Sequence, residues 1–137
     1  MTKVLTTDLK IIQLNDGNVL HALKKTDEGF KSFGEAYFSM VKSDSIKAWK
    51  QHTKMTMNLV VPIGKVKFVF FSNNNFNEIT LSQDNYKRIT VPPNIWFGFM
   101  GIAACDSLIL NIADIIHDAD EVKRKELNEI DYDWSIK

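Results

Sequence analysis

The chain has 137 residues, 45% of them hydrophobic, which is the length of one domain with enough apolar material for one substantial core. Its 17 basic and 17 acidic residues cancel, with no long block of either sign, so the electrostatic footprint of a nucleic-acid binder is missing. The single cysteine, Cys105, excludes an intramolecular disulfide, and no apolar stretch approaches the roughly 20 residues needed to cross a bilayer.

Met1–Lys10 scatters charges among apolar residues and lacks the basic-then-apolar order of a secretory signal. The expectation is therefore a cytoplasmic protein, one domain over residues 1–137, with no membrane and no nucleic-acid partner. Short apolar runs recur between turn residues, a spacing that predicts a sandwich or barrel. In chain order the candidate strands are Leu9–Leu14, Asn18–Leu23, Glu35–Val41, Ser45–Trp49, Met55–Val61, Lys65–Phe71, Glu78–Leu81, Lys87–Val91, Ile95–Met100 and Ser107–Ala113. Asn15-Asp16-Gly17-Asn18 is a strong hairpin turn, because Asp-Gly supplies positive φ cheaply, and Ser72-Asn73-Asn74-Asn75 is a second polar turn. Alternation puts Met55, Met57, Leu59 and Val61 on one face, and Val66, Phe68 and Phe70 on one face of the next strand. Val69 and Phe71 make the second face of that strand apolar too, which predicts cover from a partner subunit or second sheet. One helix is expected, over Glu121–Leu127, with acids early and Lys123, Arg124 and Lys125 following. Beyond it the tail Ile130–Lys137 offers Tyr132 and Trp134 for packing onto the barrel. Many short strands with one late helix define an all-β domain.

The runs Gly34-Glu35-Ala36-Tyr37-Phe38-Ser39 and Ile46-Lys47-Ala48-Trp49-Lys50-Gln51-His52 carry a resemblance. So do Leu59–Val66, Leu81–Phe99 with its Val91-Pro92-Pro93 and Gly98-Phe99, and Asp131-Tyr132-Asp133-Trp134. In this order and spacing the chain resembles the dTDP-4-dehydrorhamnose 3,5-epimerase family. The resemblance implies a cupin jelly-roll barrel, a homodimer, no cofactor, and action on a nucleotide-linked 4-keto-6-deoxy sugar in bacterial polysaccharide synthesis. It also exposes a departure. The family's Arg-Gly-x-His-x-Gln-type run matches Lys47 at the arginine, Lys50 at the histidine and His52 at the glutamine. The family's lysine matches Met57, its catalytic tyrosine falls near Asn111, and the histidine before Gly-Phe becomes Phe97. The cupin metal pattern of His-x-His, Glu and a distant His is likewise broken, since one imidazole does not make a metal site.

Epimerisation requires a base next to a carbonyl and an opposing acid. His52 and Lys50, two apart on one strand, are the candidate catalytic pair, His52 as a relocated base and Lys50 as the charge that holds an enolate or phosphate. Lys47, with Lys50 and Lys54, could bind a pyrophosphate, and Trp49 and Trp96 could stack a base or sugar face. Asn111 is a further substrate-binding candidate, and alternation places Glu35 and Tyr37 on one shared face. Three readings stay open: a sugar-nucleotide epimerase with a rearranged site, a binding protein that has lost the chemistry or partners an active enzyme, and a sugar 3,4-ketoisomerase. The last group's His-x-His run would place histidines at Lys50 and His52, of which the second is kept.

Overall fold

A computed structural model describes residues 2–135, so Ile136 and Lys137 of the expected tail lie outside the described residues. The strands in chain order are β1 (Leu5–Asp8), β2 (Ile11–Ile12), β3 (Val19–Leu20), β4 (Glu35–Val41), β5 (Ile46–His52) and β6 (Met57–Ile63). They continue as β7 (Val66–Ser72), β8 (Asn75–Leu81), β9 (Lys87–Val91), β10 (Trp96–Gly101), β11 (Ser107–Ala113) and β12 (Val122–Arg124). Two five-stranded sheets face each other, in the orders β1-β9-β6-β11-β4 and β12-β5-β10-β7-β8, and β2 pairs with β3 in a small hairpin. Every strand pairing is antiparallel. The result is the expected jelly roll.

The predicted faces hold. Met57, Leu59 and Val61 of β6 and Val66, Phe68 and Phe70 of β7 point into the core between the sheets, joined by Ile89, Val91 and Ile109. Asn73 and Asn74 both take positive φ and close the β7–β8 hairpin as a two-residue turn, with Ser72 opposite Asn75. Gly64 turns β6 into β7 at φ 87, where a Cβ would fall 2.2 Å from the Ser107 hydroxyl. That hydroxyl in turn accepts from the Lys65 backbone N–H at 3.0 Å.

The expected helix over Glu121–Leu127 does not form. Ala119–Glu121 is a single 3₁₀ turn, β12 follows, and a second 3₁₀ turn spans Leu127–Glu129. A short isolated helix bears a costly nucleation, whereas an extended chain here satisfies the open edge of β5. Val122 pairs with His52 and Arg124 with Lys50, and Trp49 and Lys125 exchange backbone hydrogen bonds. The tail then crosses the outside of this sheet. Tyr132 and Trp134 pack with Trp49, Val69, Phe71 and Met100 in a second apolar cluster. The outer face of β7 is thus covered by the chain's own tail, and a partner subunit is not needed there.

At the N-terminal side the two long strands expected over Leu9–Leu14 and Asn18–Leu23 shrink to the β2–β3 pairs, while β1, unanticipated, adds an edge to β9. The segment after β3 is clasped by Arg88, a fully buried residue. Its guanidinium donates to Asn58 Oδ1, Ala22 O, Glu28 O and the Asp27 carboxylate. A buried charge is tolerable only when paired and hydrogen-bonded in this way.

Candidate functional site

A cavity of about 510 Å³ opens between the two sheets. Its floor is apolar, built from core side chains such as Met57, Leu59 and Phe68. One wall comes from β5 and β12, the opposite wall from β4 and β11.

On the first wall stands His52, 6% exposed and stacked on Phe97 with centroids 5.9 Å apart. Its Nδ1 lies 2.5 Å from Oε2 of Glu121, a residue only 1% exposed. The other carboxylate oxygen, Oε1, accepts from the backbone N–H groups of Lys54 and Met55. Burial alone would push the Glu121 carboxyl up, but the hydrogen bonds from His52, Met55 and Lys54 outweigh it and hold it below the usual carboxylate range. Burial pushes the imidazole below its ordinary value, and Glu121 opposes that without reversing it. At neutral pH the pair is therefore an ionised carboxylate holding the Nδ1–H of a neutral imidazole, which leaves Nε2 as the nitrogen with a lone pair for a ligand.

Lys50 lines the same wall, half-buried. Burial lowers its pKa, and the charges of Arg124 and Lys47 lower it further. Lys47 also reaches the cavity, its Nζ donating to Met40 O at 2.6 Å. Strict alternation would place Lys47 and Lys50 on opposite faces. The register against β10 slips at this point, with Phe97 opposite Lys50 but Gly98 opposite Ala48, so Trp49 is the extra residue of a bulge and both lysines point inward. Arg124 of β12 and Lys125 just beyond it complete a cationic rim.

Across the cavity, Asn111 of β11 and Tyr37 of β4 are directly paired in register. Asn111 Nδ2 donates to the Tyr37 hydroxyl oxygen at 2.9 Å, and both residues line the cavity. The position matched to the family's tyrosine is thus an asparagine that holds a tyrosine from the neighbouring strand.

Of the residues singled out from the sequence, His52, Lys50, Lys47 and Asn111 converge on this cavity. Trp49 contributes to its wall, but its ring is committed to Tyr132 and Trp134, and its Nε1 donates to Leu127 O. Trp96 and Lys54 lie outside the lining, and Trp96 instead carries Lys125 over its ring at 4.9 Å. Glu121, Arg124 and Lys125 were not anticipated. The only sequence signal for them was the charge pattern that suggested a helix. Among the described residues no group of His, Cys, Asp or Glu side chains is arranged to hold a metal ion.

No family model and no curated protein sequence matches the chain. Solved structures do. The dTDP sugar isomerase from Desulfovibrio desulfuricans G20 is 33% identical over 91% of this chain and 85% of its own, with a TM-score of 0.87. QdtA, a sugar 3,4-ketoisomerase from Thermoanaerobacterium thermosaccharolyticum in complex with TDP, is 20% identical over 89% of this chain and 88% of its own, TM-score 0.77. The dTDP-4-dehydrorhamnose 3,5-epimerase from Sulfolobus tokodaii is 15% identical over 94% and 80%, TM-score 0.81. At their lower identity, the last two speak for the fold.

Proposed function

We propose, since this chain belongs to the family of dTDP-sugar isomerases and dTDP-4-dehydrorhamnose 3,5-epimerases, that it binds a nucleotide-linked 4-keto-6-deoxy sugar and moves a proton at a carbon next to the ketone. The observation that carries this reading is the buried His52–Glu121 pair, whose imidazole lines the cavity that Tyr37 lines from the other sheet. His52 Nε2 takes the proton, and Glu121 both fixes the tautomer and stabilises the imidazolium that forms. Charge developing on the ketone oxygen is met by Lys50 and by the Tyr37 O–H, both of which line the cavity. Lys47, Arg124 and Lys125 supply cations for the diphosphate. The paired base favours turnover over a protein that only binds.

A single imidazole lines the cavity among the described residues. One base on one face suffices to shift a ketone between adjacent carbons: it takes the proton from the hydroxyl-bearing carbon, the hydroxyl proton passes to the neighbouring ketone oxygen through the enediol, and the base returns its proton to the former ketone carbon. Inversion at two carbons demands more groups. A 3,4-keto shift is therefore the favoured reaction, and polysaccharide precursors remain the expected use of its product. Incubation with TDP-4-keto-6-deoxyglucose, followed by proton NMR, tests this. The 3-keto isomer is expected from the native chain and not from His52→Asn. A C3/C5 epimer as the product would transfer the reading to the epimerase class, and neither binding nor conversion would overturn it.

The homodimer expected from the resemblance has a better surface than the outer face of β7. Phe38 and Met40 on edge strand β4 are 64% and 58% exposed, and Phe33 and Ile63 extend the same apolar character. Outward side chains of β4 and β11 pair as Phe38 with Leu110 and Met40 with Leu108. A patch of this kind on a sheet edge suits a two-fold copy of itself.

A further inference from the structure

The tail that crosses the outer sheet reaches the cavity wall through one residue. Trp49 is 2% exposed, and its indole stands in the outer cluster, 5.4 Å from the Trp134 ring and 6.3 Å from the Tyr132 ring between centroids. Its Nε1 donates to Leu127 O at 3.1 Å, and its backbone exchanges hydrogen bonds with Lys125. Ala48 packs on the same outer cluster, so two consecutive residues of β5 face away from the cavity, as the bulge requires. Gly98, opposite Ala48, makes the room: a Cβ there would fall 2.5 Å from the Ala48 Cβ and 3.1 Å from the Trp134 ring. Alternation counted back from His52 keeps Lys50 inward with or without the bulge, and only the bulge brings Lys47 in as well. Lys47 then sits with its Nζ 5.9 Å from the centroid of Phe99, another lining residue.

A bulge breaks the ladder to the neighbouring strand locally, and the buried indole of Trp49 offsets that loss. We infer that the tail is a positioning element for the diphosphate: Trp134, docked on Trp49 from the outer side of the sheet, holds the bulge that turns Lys47 into the cavity. This rests on the cationic rim being the diphosphate site of the function proposed above. The tail has its own anchor on β8. The Tyr132 O–H donates to the Glu78 carboxylate, and the Tyr132 ring lies 5.1 Å from the Phe76 ring, with Lys67 Nζ over it at 5.2 Å. Neither Tyr132 nor Trp134 lines the cavity, so both act through Trp49 and not on the ligand.

The test measures TDP affinity by calorimetry for the native chain, Trp134→Leu, Tyr132→Phe and Lys47→Met, and for Lys47→Met combined with each tail variant, beside a thermal melt to confirm folding. Trp134→Leu removes the ring that meets Trp49 and should weaken TDP binding about tenfold, the worth of one hydrogen bond to a charged group. Tyr132→Phe removes only the anchor to Glu78, which guards against a Trp134 variant that folds poorly, and should weaken binding about threefold. Lys47→Met should itself lose about tenfold, and in its background neither tail change should cost more than about twofold further, because residues that act through one another do not add. A tail that only stabilises the fold would lower the melting midpoint and leave the TDP affinity of the folded protein alone. TDP affinity within about twofold of native in every folded tail variant, or an undiminished loss in the Lys47→Met background, overturns the proposal and leaves the isomerase reading intact. A native chain that does not bind TDP overturns both.

Discussion

Replacing Glu121 with Gln removes one charge and almost no volume, so its effect is set by hydrogen-bond geometry. The native carboxylate accepts three hydrogen bonds, from His52 Nδ1 on one oxygen and from the Lys54 and Met55 backbone on the other. A carboxamide has a single acceptor oxygen. If that oxygen serves the backbone, the NH₂ faces the Nδ1–H of His52, and the imidazole must change tautomer to escape the clash. If it serves His52, two backbone donors are left buried against an NH₂. Either arrangement strands polar groups, at about 1–3 kcal/mol. With about 4 °C per kcal/mol at this chain length, the melting midpoint should drop by about 4–12 °C. The rate effect is larger than the stability effect, because a base in the wrong tautomer presents N–H instead of a lone pair to the substrate. The expected loss in kcat is about 10²–10⁴-fold, the range that positioned proton transfer supplies. His52→Asn should lose a similar factor, and the double variant should be no worse than the more damaged single one, since the two residues act as one unit. The assay is the initial rate of keto-sugar conversion by proton NMR, beside a thermal melt to confirm folding. A folded Glu121→Gln with kcat within about threefold of native, under about 0.7 kcal/mol of barrier, would refute the assignment of Glu121.

The same pair sets the pH dependence. Burial holds folded His52 below its ordinary 6.5, so the unfolded chain takes up its proton first as the pH falls. Stability should therefore decline with acidification from about 6.5 downward, and Glu121, held below 4.5 when folded, adds a second loss at lower pH. The acid limb of kcat/KM should report an apparent pKa below 6.5, and a value above neutrality would contradict a neutral buried base. Arg88→Met should cost about 3–5 kcal/mol by denaturant titration, because it strips a buried charge network and frees the segment after β3; a loss below about 1 kcal/mol would show that the clasp is dispensable. Phe38→Asp with Met40→Asp should convert a two-chain species to a single chain by light scattering, and a native chain that is monomeric at micromolar concentration would remove the dimer.

Local patterning was legible wherever one strand face meets the core. The bounds of Glu35–Val41, Lys87–Val91 and Ser107–Ala113 match the observed strands, and the inward sets of β6 and β7 follow from alternation alone. The C-terminal segment was misread because acids followed by bases over residues 118–125 mimic a helix with a favourable dipole. The winning interaction is edge pairing with β5, between residues 70 or more positions apart that no local period reports. Glu121 shares that cause: its partner is set by the crossing of β12, and a lone glutamate in a charge-rich stretch carries no mark of burial. Tyr37 was visible as a face-sharing residue, but its register opposite Asn111 is a tertiary fact. The bulge at Trp49 was hidden for the opposite reason, since alternation extrapolated through it places Lys47 on the wrong side. His52 alone was reachable by chemistry, as the one imidazole on the strand that the resemblance marks for the base.

The central claim is that His52 removes a carbon-bound proton beside a sugar ketone. Solvent exchange tests it most directly. TDP-4-keto-6-deoxyglucose is incubated in deuterium oxide with native protein and, separately, with His52→Asn, and ring deuterium is read by mass spectrometry against a protein-free control. Deuterium entering above the control with native protein, and at the control rate with the variant, is the predicted result. Native protein that binds the nucleotide sugar yet incorporates no deuterium above the control would contradict it.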